Sequence, residues 1–223
     1  MPLSALLNTW QADPDIASNI TAWRTFPTRP ARFAPFPEDL HPALVHALRA
    51  QGIGALYTHQ ATAWRYVQAG QHPVIVTGTA SGKTLCYNLP VLDWLLRHSQ
   101  ARALYLFPTK ALAQDQLSVI SDQGLGTRDQ GSVIHVAAYD GDTPSEARPR
   151  IRTTARLVIS NPDMLHTGVL PHHTLWAEFF AHLQFVVIDE MHAYRGVFGS
   201  HVANVLRRLK RVARFYGSSP QFI

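Results

Sequence analysis

Apolar positions along this chain follow two alternating rhythms. Short runs rich in β-branched and large apolar residues at 73–76, 103–107, 133–138, 156–159 and 185–188 predict buried strands. Stretches with apolar residues three and four apart predict helices at 84–98, 111–121, 163–169 and 201–215. In the first of these, Leu85, Leu89, Leu92 and Leu96 share one face. Strands alternating with helices imply an α/β domain: a mostly parallel sheet with helices on both faces. Ahead of this rhythm, residues 41–50 predict a helix with Leu44, Ala47 and Leu48 inward, stopped near Gly52 and Gly54. Thr58 is expected to cap another helix, carrying His59, Gln60 and Trp64 and running to about Ala69. Residues 1–40 differ. A helix from Leu3 to Trp10 gives way to an extended arm, because Pro27, Pro30, Pro35 and Pro37 forbid a long helix. Trp10, Trp23, Phe26, Phe33 and Phe36 are expected to pack that arm over the domain formed by 41–223. No internal repeat or low-complexity tract is present.

The 223 residues suffice for one α/β domain with a sizeable core. No apolar run is long enough to span a bilayer, and no charged-then-apolar leader follows Met1, so a cytoplasmic protein without a membrane partner is expected. One cysteine, Cys86, excludes a disulfide framework and a multi-cysteine zinc site. The net charge of +5 favours an anionic partner. Lys83, Lys110 and Lys210 are the only lysines, so the positive charge is nearly all arginine, which suits bidentate phosphate contacts.

Candidate chemistry starts at the first predicted strand. After residues 73–76 come six small residues, Thr77, Gly78, Thr79, Ala80, Ser81 and Gly82, then Lys83, Thr84 and a helix. Small residues let backbone N–H groups approach a polyphosphate, and a helix N-terminus adds partial positive charge. In a phosphate loop, Lys83 would reach the β- and γ-phosphates of ATP and the Thr84 hydroxyl would hold Mg²⁺. Thr77 stands where the strict pattern has glycine. The plain alternative is an ordinary strand-to-helix turn with a solvated lysine.

In open α/β sheets the working residues sit beyond the carboxyl ends of the strands. After 103–107 stand Pro108, Thr109 and Lys110, a helix start that offers free N–H groups and a lysine to a nucleic-acid phosphate. After 133–138 stands Gly141, between Asp140 and Asp142, where backbone can approach closely. After 156–159, Asn161 reads as an N-cap with Pro162 at the first helical position. Each is also readable as a plain capped turn. Arg148, Arg150, Arg152 and Arg156 lie near, as a basic face or a solvated one. After 185–188 come Asp189, Glu190 and His192. Two acids ending an apolar strand are costly without partners. A cation at Asp189 and a polarised water at Glu190 would relieve that cost.

In order and rough spacing, 77–84, 108–112, 160–163 and 189–192 resemble motifs I, Ia, Ib and II of superfamily 2 helicases, in the D-E-x-H variant. Residues 56–60, LYTHQ, resemble the Q motif. The stretches TASGKTLCYNLPVL, FPTKALAQDQ, NPDMLH and VVIDEMHAYRGVFGSHVANVLRRLKR look most like the YprA/MrfA type of bacterial DNA-repair helicase, over roughly 35–223. The resemblance implies a RecA-like P-loop fold for 41–223 and the first motor domain of a longer chain. A second RecA-like domain would follow and supply arginine fingers.

By the same resemblance, Lys83 and Thr84 would bind triphosphate and Mg²⁺, and Asp189 would bind the metal. Glu190 would position the attacking water, and His192 would couple the site to the motor interface. Gln60 would read the adenine edge, with Phe33 or Phe36 stacking on the base. Thr109, Lys110, Asn161 and Pro162 would touch single-stranded or partly unwound DNA. Two other functions stay open: an ATP- and single-strand-binding module with little turnover, and a P-loop ATPase that does not act on nucleic acid.

Overall fold

The computed structural model describes every residue except Met1, Thr25, Thr28, Arg29, Thr79, Ala80 and 123–133, and describes residues 118, 119, 121 and 122 by their backbone alone. It divides into two compact units, 1–31 and 32–223. The first holds α1 (Leu3–Ala12) and α2 (Pro14–Ala17), the second helix started by Asp13, whose carboxylate accepts from the Asp15 N–H at 2.9 Å.

The larger unit opens with β1 (Phe33–Ala34), α3 (Pro42–Ala50), β2 (Leu56–Tyr57), α4 (Thr58–Gln68) and α5 (Lys83–Arg97). There follow β3 (Arg102–Leu106), α6 (Lys110–Asp122), β4 (Val136–Ala138), α7 (Ala147–Thr154), β5 (Leu157–Ser160) and the single turn α8 (Pro162–Met164). A π-helical turn at Leu165–Val169 and a 3₁₀ segment at Leu170–Trp176 lead to α9 (Ala177–Ala181) and β6 (Leu183–Ile188). The chain ends with α10 (Gly196–Phe215) and β7 (Gln221–Phe222).

Among the described residues the main sheet has five strands, ordered β4-β5-β3-β6-β7, and every pairing is parallel. Successive side chains on a strand point to opposite faces, and the core follows that rule. Ala103, Tyr105, Leu157, Ile159, Phe185 and Val187 pack on one face against α3, α4, α5 and α6. Leu104, Leu106, Val158 and Val186 pack on the other, against Leu165, Trp176, Phe179, Phe180 and the α10 residues Val205 and Leu209. The expected α/β architecture with both faces covered is what the chain adopts.

Helix α3 is tied to α5 through a buried charge. Asp93, 3% exposed, pairs with Arg97 at 2.7 Å and accepts the His41 N–H at 2.7 Å. Arg97 also donates to the Asp39 carbonyl.

Several expectations need correction. Residues 73–76 form no strand; Val74 is 68% and Val76 89% exposed. The neighbouring edge of β7 is already occupied. The Phe222 N–H donates to His72 Nδ1 at 2.8 Å, and the Gln221 side chain donates to the Val67 and Gln71 carbonyls. Thr58 is the first residue of α4 and Tyr57 its cap, because Tyr57 still pairs with Phe33 in the short antiparallel ribbon. Helix α10 starts at Gly196, five residues before the predicted position. The third strand was expected over 133–138; Val133 lies outside the described residues, and β4 begins at Val136.

Candidate nucleotide cleft and nucleic-acid edge

Parallel pairing sends the carboxyl ends of β3, β4, β5 and β6 to one side of the sheet, and the candidate residues follow those ends. Strand β6 ends at Ile188, and the Asp189 N–H still donates to the Leu106 carbonyl at 3.0 Å, which carries the sheet register one residue further. The Asp189 carboxylate is held on both sides. Oδ1 accepts the Glu190 N–H at 2.7 Å and Oδ2 accepts the Tyr87 hydroxyl at 2.8 Å. Glu190 sits in the left-handed region, φ 49°, the one non-glycine residue to do so among those described. That conformation costs an L-residue about 1–2 kcal/mol, and strain of this kind concentrates at working sites. His192 Nδ1 lies 3.1 Å from Glu190 Oε2, so the two acids and the histidine form one turn.

Opposite this turn runs the small-residue loop. Residues 73–77, Lys83 and Tyr87 line one wall of a cleft of about 440 Å³, and 188–192 with Phe222 and Ile223 line the rest. Lys83 and the acids therefore share a crevice. The loop is closed by a 2.6 Å contact between the Thr77 and Ser81 hydroxyls. It is fastened to α4 from outside the sheet. His59 Nε2 lies 2.9 Å from the Ser81 carbonyl oxygen, and Gln60 Nε2 donates to the Gly82 carbonyl at 2.9 Å. Gly82 has φ +72°, which favours glycine, and a Cβ there would stand 2.7 Å from Gln60 Nε2 and push that amide aside. Thr79 and Ala80 lie outside the described residues.

Gln60 is engaged at both ends of its amide. It is 5% exposed, its Oε1 accepts the Tyr57 N–H at 2.8 Å, and its amide nitrogen is committed to Gly82. In this arrangement it braces the loop. Of the two aromatic candidates, Phe33 is exposed and stacks on Tyr57 with centroids 5.2 Å apart, whereas Phe36 packs on the core.

The second set of candidates lies along the sheet from the cleft, at the ends of β3, β4 and β5. Lys110 begins α6, with the Thr109 hydroxyl 3.4 Å from the Leu112 N–H. Its ammonium pairs with Asp142 at 2.7 Å, beside Gly141. Asn161 caps α8 as expected, its Oδ1 accepting from the Met164 N–H at 2.8 Å, with Pro162 next.

The arginine cluster divides. Arg148 braces the 139–143 turn, donating to the Thr143 carbonyl at 3.0 Å and lying over the Tyr139 ring. Arg156 turns inward to the Leu95 and His98 carbonyls, and burial lowers its pKa. Arg150 remains exposed. Any basic face over 148–156, one of the two readings left open, is therefore smaller than its arginine content suggests.

Tyr87 carries no motif signature and was not among the expected site residues. Burial first, then the Asp189 charge, raise its pKa far above the ordinary phenol range. The same helix holds Cys86, whose thiol burial pushes up to about 11.

The DEAD/DEAH box helicase family profile matches residues 57–222. The chain belongs to the DEAD/DEAH box helicase family. It is 53% identical over 205 residues to the ATP-dependent helicase YprA of Bacillus subtilis, covering 92% of this chain and 27% of that protein. It is 42% identical over 209 residues to the ATP-dependent helicase HRQ1 of Saccharomyces cerevisiae, covering 93% of this chain and 19% of that one. The crystal structure of the DUF1998 helicase MrfA bound to DNA and AMPPNP superposes with a TM-score of 0.89 at 49% identity. That match covers all of this chain and 30% of MrfA, so the chain spans less than a third of the length of these helicases. The RecA-like fold and the resemblance to YprA/MrfA helicases are thereby established. Among the described residues no helix is long and apolar enough to cross a membrane.

Proposed function

We propose that 32–223 form the first motor domain of a D-E-x-H helicase that couples ATP hydrolysis to movement along DNA, residues 32–40 belonging with the 41–223 domain and 1–31 being an appended unit. One observation carries this reading: Lys83 and the Asp189–Glu190 pair line the same cleft, at the strand ends where α/β sheets bind ligands. The Asp189 carboxylate in the cleft, with the Thr84 hydroxyl within hydrogen-bonding reach of Tyr87 beside it, offers oxygen donors that suit a hard cation such as Mg²⁺. When bound, that ion would neutralise charge on the β- and γ-phosphates.

The protein's own groups supply the rest. Thr77, Gly78, Ser81 and Gly82 cradle the phosphates through backbone N–H groups, and Lys83 compensates the γ-phosphate charge; Thr79 and Ala80 of the same stretch lie outside the described residues. Glu190 orients the attacking water and takes its proton. His192, whose Nδ1 lies 3.1 Å from Glu190 Oε2, links this event to the face that meets a second RecA-like domain. Gln60 holds the loop in shape. Pro108, Thr109, Lys110, Gly141, Asn161 and Pro162 form the nucleic-acid edge. These assignments draw support from the MrfA relative, whose structure holds both DNA and AMPPNP.

The 223-residue chain alone is expected to bind nucleotide and single-stranded DNA but to hydrolyse slowly. Arginine fingers from a partner surface contribute about 10³–10⁵ in rate in related phosphoryl-transfer enzymes. The test is ATP turnover by the full-length protein and by this chain, each with and without single-stranded DNA. DNA-stimulated turnover by the full-length protein alone supports the proposal. Absence of stimulation in both points to a P-loop ATPase acting elsewhere.

A further inference from the structure

We propose that Tyr87 is a positioning residue for the acidic wall of the cleft, its hydroxyl holding the Asp189 carboxylate in the orientation a divalent cation needs. The inference rests on the nucleotide-cleft reading above. Tyr87 lies one turn beyond Lys83 on α5, so both side chains emerge from the same face of that helix. Its hydroxyl donates to Asp189 Oδ2 at 2.8 Å while the Glu190 N–H occupies Oδ1 at 2.7 Å. A carboxylate has about four lone-pair sites, so two remain for a cation or its water shell once the group is pinned.

The pin is itself rigid. Tyr87 is 4% exposed, and its ring meets Tyr105 edge-on, centroids 5.4 Å apart. Tyr105 is fully buried and locked by donating to Asn88 Oδ1 at 3.0 Å. A chain of contacts therefore runs from the core through two tyrosines to one carboxylate oxygen. Hydrogen bonds of this kind to metal-binding groups typically change metal affinity by about 10–100-fold when removed. A buried phenol also seeks a partner for its own sake, so the two roles must be separated by measurement.

The experiment is AMPPNP binding to the 223-residue chain across a Mg²⁺ series and in EDTA, comparing wild type with Tyr87→Phe. Tyr87→Phe is expected to raise the half-saturating Mg²⁺ concentration about tenfold, with metal-free binding unchanged. Introduced on top of Asp189→Asn, the same change is expected to add nothing, because its effect passes through that carboxylate. A shift below about twofold, equal loss with and without Mg²⁺, or full additivity with Asp189→Asn overturns the role of Tyr87. Wild-type binding that ignores Mg²⁺ would instead overturn the cleft reading itself.

Discussion

The two walls of the cleft are built on different principles. The acidic wall is an extension of the sheet. Asp189 continues the β6 register through its bond to Leu106, both its oxygens are engaged, and Glu190 is held in a strained conformation by those surroundings. The phosphate-loop wall is not part of the sheet's ladder. Residues 73–76 form no ladder, and the loop is fastened from α4 by His59 and Gln60. Catalytic acids need placement to a fraction of an ångström, which buried register supplies. A loop that wraps a polyphosphate needs open N–H groups. On this view the acidic wall sets chemistry and the loop wall sets occupancy.

Mutations can break that division. Glu190→Gln in the full-length protein is expected to lower ATP turnover by about 10³-fold, within the range for general-base loss, while AMPPNP affinity holds. Steady-state kinetics beside equilibrium titration would check it, and parallel loss of both would erase the distinction. Lys83→Ala is expected to act the other way, weakening AMPPNP binding on the order of 100-fold through loss of charge-assisted contacts. Next in size is Gly82→Ala. Its left-handed φ and the 2.7 Å approach to Gln60 predict a loss of about 1–2 kcal/mol in urea unfolding, together with weaker nucleotide binding. The smallest effect falls on the nucleic-acid edge. Lys110→Ala should reduce the salt slope of single-stranded DNA binding by about one, and Asp142→Asn, which frees Lys110, should tighten binding a few-fold. An unaltered salt slope in the first would remove Lys110 from that edge.

Much of this was legible from residue order. β3, β5 and β6 lie within a residue or two of their predicted places, because buried parallel strands are continuous apolar runs. Asn161 and Pro162 carry a helix-start chemistry that is local, and the structure shows it. Residues 73–76 have the same β-branched signature as a true strand yet pair with nothing. Whether a strand finds a neighbour depends on what occupies the adjoining edge, here His72 against Phe222 of β7. Arg156 reads as one of a basic cluster but turns inward, since side-chain direction is set by tertiary packing. The role of Tyr87 was hidden for a similar reason. Its partner Asp189 is distant in sequence, and no spacing rule links a helix interior to a strand end that far along the chain.

The most direct test of a single shared cleft is a crystal structure of this chain with AMPPNP and Mg²⁺. The account predicts the γ-phosphate against Lys83 Nζ, with the cation between it and Asp189. Triphosphate density elsewhere, or a cation held without Asp189, would contradict it.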